Sequence, residues 1–282
     1  MTNIILRRRK LGKTSTENIR DNMNNPTQVV LLDRDPIPND IDVLFRWGCT
    51  GNARARRTFN RAEAIHYVND KRQSRKDFAD AGMAPRTWLD YHELDMNVPV
   101  IGAPLSFIIR PQRHAQGRSL YKCDNIGQVM DATRRINGPY YISEFIPKIA
   151  EYRVFVANGR VVWVACKTPG NPQDIAWNVA RGGRFDNVRW GEWPLNVVDL
   201  ACRVFNMTAL DFGGVDVMVG PDGQCYCLEI NSAPSQTSPY RQSCVAKVFD
   251  YMIEHGNERI PAANRGEYLR YIHPSLDEKA RI

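Results

Sequence analysis

Residues 210–235, LDFGGVDVMVGPDGQCYCLEINSAPS, constrain this chain more than any other stretch. The run 213–219 is apolar apart from Asp216, and the run 224–230 leads through Glu229 to Asn231 and a proline. Between them Gly220-Pro221-Asp222-Gly223 is a turn signal, with Pro pre-set for the first corner and Gly free to take positive φ. The pattern predicts two strands around a tight turn. Glu229 and Asn231 are two residues apart and so share one face of a strand. If the loop has an even number of residues, Asp216 joins that face, diagonal to Glu229; a one-residue slip sends it to the other face, and the turn alone allows both. Two carboxylates and an amide oxygen inside an apolar sheet are costly to bury unless a cation sits among them. Such a set suits Mg²⁺, which takes one or two carboxylates and completes its shell with nucleotide phosphates. A hairpin with a wet acidic face shows the same alternation and stands as the alternative.

At 282 residues the chain fits two or three subdomains. Apolar content of 43% supports real cores, and no apolar run is long enough for a membrane span. The first residues, MTNIILRRRKLGK, have no apolar h-region or cleavage site, so a secretory signal is not expected. The seven cysteines are odd in number and lack a CxxC pair, which favours reduced thiols and a cytoplasmic protein. The net charge of +7 is uneven: residues 1–80 hold sixteen Lys/Arg against ten Asp/Glu. That surplus would suit an acidic substrate or nucleic acid, or would serve solubility alone.

Along the chain, short apolar runs at 4–6, 29–32 and 41–45 read as strands of a small α/β unit, with Ser15 or Thr16 capping a helix between the first two. The third run ends at Arg46-Trp47, followed by Gly51 and Asn52, where open α/β sheets bind ligands. Arg46 would grip a carboxylate and Trp47 would either stack on a ligand or anchor the core. A helix is expected over 59–80, broken near Asn69-Asp70, then an extended segment at 84–88. The strand 104–110 delivers Arg110 to a basic loop holding His114 and Gly117, shaped as a phosphate flap or as a plain basic hairpin. Asp124 is expected to cap the next helix. The strand YYISEFI follows, then a hairpin around Asn158-Gly159, a polar loop containing Asn178 and Arg181, and helices opened by Pro194 and Pro239.

The order of these features resembles the ATP-grasp superfamily, and within it the ligases similar to the one that adds glutamate to ribosomal protein S6. The resemblance spans about 70–253 and is strongest in GVDVMV and LEINSAPS. It implies an α/β (α+β) fold in which the nucleotide lies between two α+β subdomains, at 69–140 and 141–258, behind a small basic α/β domain at 1–68, with a tail at 259–282. It implies Asp216, Glu229 and Asn231 as ligands of Mg²⁺ (or Mn²⁺), and ATP as the nucleotide. Lys71 matches the first phosphate-binding lysine. Arg110 stands where a second lysine is usual, and Gly117 marks a flap poor in glycine. Glu144 would meet the adenine amino edge beside the backbone of Phe145 and Ile146, and Glu151 the ribose. Arg153, Lys167 and Asn178 fall around the γ-phosphate and the acyl intermediate. Arg46, Trp47, Asn52 and Arg181 are the candidates on the substrate side.

The activity implied is an ADP-forming carboxylate–amine (or thiol) ligase that forms amide or peptide-type bonds through an acylphosphate. Its acid and its acceptor, whether amino acid, peptide or protein, are not legible, nor is its oligomeric state. Two other readings remain at this stage. One is a relative that binds nucleotide but has weakened catalysis. The other is a modifying protein docked on nucleic acid by its basic first part.

Overall fold

A computed structural model describes residues 1–8, 13–97, 105–112, 120–171, 173–177 and 182–260. The three early apolar runs become parallel strands. β1 (Asn3–Arg7), β2 (Thr27–Leu31), β3 (Val43–Arg46) and β4 (Arg57–Phe59) form a sheet in the order β2-β1-β3-β4. The strand β4 takes residues that the sequence pattern assigns partly to a helix. Ser15 and Thr16 lie inside α1 (Lys13–Asp21) and do not cap it. The Ser15 hydroxyl instead accepts from the backbone N–H of Gln236 at 2.9 Å, tying α1 to a loop far along the chain.

The helical pattern at 59–80 divides where expected. α2 (Ala62–Asn69) and α3 (Lys71–Asp80) meet at Asp70, whose carboxylate accepts from the Gln73 N–H at 3.2 Å and so caps α3. A second sheet then forms from β5 (Thr87–Trp88), β6 (Phe107–Pro111), β7 (Tyr121–Cys123) and β8 (Tyr140–Glu144), in the order β5-β8-β6-β7. All its pairs are antiparallel. Because β8 belongs here, this sheet runs to Glu144, past the boundary that the sequence suggests at 140/141. α4 (Tyr91–Asn97) and α5 (Ile126–Arg134) accompany it. Asn125 caps α5, accepting from the Gln128 N–H at 2.9 Å. Asp124, expected in that role, accepts instead from Ser106 and pairs with Lys122.

The third sheet is antiparallel, in the order β11-β10-β9-β12-β13. Its strands are β9 (Ala150–Ala157), β10 (Arg160–Thr168), β11 (Arg184–Val188), β12 (Phe212–Val219) and β13 (Cys225–Asn231). The Asn158-Gly159 pair joins β9 to β10 with φ of 46° and 72°, the left-handed conformation that such two-residue turns need. Its central strands are buried on both faces. Val154, Val156, Val215 and Val217 pack on α6 (Leu195–Phe205) and α2, whereas Phe155, Ala157, Trp163 and Phe212 pack on α7 (Pro239–His255) and the first sheet. Among the described residues no helix is long and apolar enough to cross a membrane. All seven cysteines are free.

Candidate functional site: a charged cleft between two sheets

The face of the third sheet that α7 covers changes character along its strands. Phe155, Trp163, Ala165 and Phe212 form its apolar end. Strand alternation then puts Glu151 and Arg153 of β9, Lys167 of β10 and Asp216 of β12 at the other end of that same face. Here the sheet borders a cavity of about 300 Å³. Glu151, Lys167, Asp216 and Glu229 line it from one side, and Ile108, Arg110, Ser143 and Glu144 of the second sheet from the other. Lys71 and Arg75 of α3 close one wall, and residues 173–177 approach from a loop. This volume is at the lower end for sites that enclose a small ligand.

The hairpin reaches this geometry by an unexpected route. Val219 pairs with Cys225, which makes the turn one residue longer than the Gly-Pro-Asp-Gly signal implies. Alone, that slip would send Glu229 to the face opposite Asp216. An irregularity between Asp216 and Val217 takes up one further residue, so that Asp216 stands directly opposite Glu229 rather than diagonal to it. The two one-residue shifts add to a whole period.

The carboxylates are met by cations. Arg153 donates to Asp216 through Nε at 2.6 Å and Nη2 at 2.8 Å, and the Lys167 ammonium lies 3.5 Å from the same group. Lys148 and Lys167 both pair with Glu151. Lys71 Nζ is 2.5 Å from Glu229, whose other oxygen accepts from the Asn231 amide at 3.1 Å. Burial pushes the Asp216 carboxyl upward, but Arg153 and Lys167 outweigh it and hold the group below its ordinary value. Burial is likewise overcome at Glu229, where Lys71 keeps the carboxyl well below the usual range. Lys148 goes the other way, because desolvation outweighs its carboxylate partner and lowers its pKa.

No group of three or more His, Cys, Asp or Glu among the described residues is arranged to hold a metal. What the hairpin offers is two carboxylates on directly paired residues with an amide side chain beside them, a donor set that fits a Mg²⁺ sharing its shell with phosphates. Lys71 stands in for a cation on Glu229. Arg110 lines the cleft with its Nε buried and unpartnered, as a group poised for an anion would be.

Other expected residues fall out differently. Both oxygens of Glu144 accept from Arg86, at 3.0 and 3.2 Å, and the Phe145 N–H donates to the Ser106 carbonyl at 2.7 Å. Both residues line the cleft with Ile146, yet these polar groups are already engaged. The Arg46 guanidinium donates to the carbonyls of Cys49, Gly51 and Ala53, so it shapes its own loop and leaves no fork for a carboxylate. Trp47 is fully buried, 5.8 Å from Phe212 between ring centroids, and presents no stacking face. Asn52 is exposed and lies outside the cleft lining. Gly117, His114, Asn178 and Arg181 fall outside the described residues. Sequence reading missed Arg75, which sits one turn beyond Lys71 on α3, a spacing that would have revealed it. It also missed Lys148, three residues before Glu151, and Trp177, whose ring centroid lies 4.5 Å from the Lys148 ammonium.

No family model matches this chain, and no curated protein matches it in sequence. Solved structures do. The ATP-grasp ligase PsnB, complexed with a minimal precursor, Mg and ADP, is 13% identical over 89% of this chain and 97% of its own, with a TM-score of 0.65. The D-cycloserine synthetase DcsG is 12% identical over 90% of this chain and 100% of its own, with a TM-score of 0.64. The D-alanine–D-alanine ligase from Bacillus anthracis, complexed with ATP, is 14% identical over 90% of this chain and 96% of its own, with a TM-score of 0.61. The likeness does not single out the S6 glutamate-ligase group. At this level of identity it is a likeness of architecture, and the architecture is that of the ATP-grasp ligases.

Proposed function

We propose that this chain is an ATP- and Mg²⁺-dependent ligase that joins a carboxylate to an amine (or thiol) and releases ADP and phosphate. The observation that carries the reading is the pairing of Asp216 with Glu229 across one hairpin, facing Lys71, Arg153 and Lys167 in a cleft between two sheets. Attack of a carboxylate on a γ-phosphate needs positioned cations to take up charge and little covalent help. Lys71, Arg110 and Lys167 would bind the phosphates, and Arg153 would face the reacting acid. Mg²⁺, when bound through Asp216, Glu229 and Asn231, would supply charge neutralisation at the phosphates. Nucleotide entry would draw Lys71 off Glu229, exchanging an internal ion pair for contacts with the ligand. The acylphosphate that forms reacts readily with water, so the walls around residues 173–177 would shield it until the acceptor arrives.

The neighbours lend support to one substrate class. PsnB and the macrocyclase MdnC were solved with precursor peptides, and the Bacillus anthracis enzyme is named as a D-alanine–D-alanine ligase. An amino acid or peptide is therefore the first substrate to try, in the cytoplasm. The test is ADP release from ATP and Mg²⁺ across a panel of amino acids, peptides and amines. We expect acceptor-dependent ADP formation that Glu229→Gln abolishes. Nucleotide binding with no turnover on any acceptor would instead favour a binding protein with weakened catalysis. Salt-dependent affinity for nucleic acid would point to docking by the basic first domain.

A further inference from the structure

Among the described residues, two guanidiniums of the cleft lining have no carboxylate partner. Arg75, on α3, is 6% exposed, and its Nε is buried and unpartnered. Arg110, on β6, has a buried and unpartnered Nε as well. The carboxylates of the lining are taken by other cations: Glu144 by Arg86, Glu151 by Lys148 and Lys167, Asp216 by Arg153 and Lys167, and Glu229 by Lys71. A buried guanidinium without an anion is an expensive arrangement, and two on one cavity point to an anion that the cleft receives.

Both converge on Tyr141. Strand alternation puts Ile109 and Ile142 in the apolar core of the second sheet, and Arg110, Tyr141 and Ser143 on the opposite face. Arg110 and Tyr141 are paired directly across β6 and β8, and the Arg75 guanidinium lies 5.5 Å from the Tyr141 ring centroid. The ring offsets part of the cost of burying Arg75, but it gives the fork of N–H donors no acceptor. The helix α3 also runs beside β13. Lys71 meets Glu229; one turn on, Arg75 is near Cys227, where burial pushes the thiol up and the Arg75 charge works against it. Cys227 precedes Glu229 by two residues, so Arg75 stands roughly 7 Å along the strand from the paired carboxylates. In that direction the lining turns apolar, with Met218 on β12 and Ile146 near the hairpin turn.

We propose that Arg75 is a nucleotide-binding residue that, together with Arg110, clamps the α-phosphate. The order along β13 carries the placement: the carboxylate end takes Mg²⁺ with the outer phosphates, the apolar end takes the base, and Arg75 stands between them. The ligand class is a nucleoside phosphate, and one phosphate is enough to engage the clamp. Lys71 must leave Glu229 before it can meet a phosphate, whereas neither arginine has a carboxylate to leave among the described residues. The clamp therefore works without Mg²⁺. This assignment rests on the ligase reading above.

Calorimetry on the full chain with two ligands, Mg²⁺·ADP and AMP without Mg²⁺, separates the two. We expect the wild type to bind both. Arg75→Met should weaken AMP and Mg²⁺·ADP by similar factors of at least roughly tenfold, the loss of a charge-assisted contact. Arg75→Lys, which keeps the charge but not the fork, should fall between. Without ligand, Arg75→Met should melt at the wild-type temperature or above it, because Met fills the site with no stranded charge; a purely structural arginine would give the opposite result. Wild-type AMP affinity in Arg75→Met, a loss confined to Mg²⁺·ADP, or a lower melting temperature of the unliganded variant overturns the Arg75 assignment alone. A wild type that binds Mg²⁺·ADP but not AMP does the same. Failure of the wild-type chain to bind Mg²⁺·ADP overturns the ligase reading and this assignment with it.

Discussion

Asp216 holds the centre of the charge network, and its neighbours show why its identity matters. It is 4% exposed and is the shared partner of Arg153 and Lys167. Removing it would leave the buried Arg153 without its anion and Lys167 with Glu151 alone, which costs far more than the net worth of the pairs themselves. We expect Asp216→Asn to lower the unfolding free energy by about 3–5 kcal/mol in urea denaturation. Adding Arg153→Met should return part of that loss, because one stranded charge goes with it. Additive losses in the double variant would mean that the pair is not coupled. The same accounting explains which residue roles were hard to read from sequence. Arg46 ends an apolar run as a substrate-binding arginine would, but its acceptors are carbonyls of the next few residues, and only folding reveals that loop. Trp47 and Lys148 are alike in this respect. Burial and partners decide their roles, and neither is written in local spacing.

At the level of elements, the chain announces its breaks better than its registers. The division of α2 from α3 at Asp70, the Asn158-Gly159 turn and the proline-led helices α6 and α7 were all legible, since each rests on a local backbone preference. The hairpin register was not. Its strands are apolar enough that burial pattern does not fix the parity, and two compensating shifts leave no signature in the turn residues. Asn60, where β4 hands over to α2, shows a junction of the same hidden kind. It is buried at φ of 61°, and its side-chain amide donates to the Phe212 carbonyl and accepts from the N–H groups of Asp211 and Phe212. It thereby fastens the first sheet to the start of β12. Asn60→Gly should cost about 1–3 kcal/mol for backbone groups left unmet. Asn60→Ala should cost about 1 kcal/mol more, because alanine also resists the left-handed conformation. Equal losses in a denaturant titration would show that the conformation carries no penalty.

For the whole molecule, the site is also a seam. Lys71 comes from α3, which packs beside the second sheet, and Glu229 from the third, so their ion pair clamps the two walls of the cleft. Two sets of carboxyls should then give stability opposite slopes with pH. Asp211 is pushed upward, by burial above all, so the folded state holds its proton more tightly than the unfolded one. Acidification from neutrality toward the ordinary carboxyl range near pH 4 relieves that strain and should raise stability slightly. Asp216 and Glu229 are depressed, so below that range the unfolded chain takes up protons that the folded chain refuses. Stability should then fall steeply as pH drops through their folded values. A melting curve followed from pH 7 to pH 2 should therefore pass through a shallow maximum. Asp211→Asn should remove the rise on the neutral side, and Glu229→Gln should flatten the fall on the acid side. If Glu229→Gln leaves the acid limb as steep as in the wild type, the clamp between the cleft walls contributes nothing to acid unfolding, and the walls are held together by apolar packing alone.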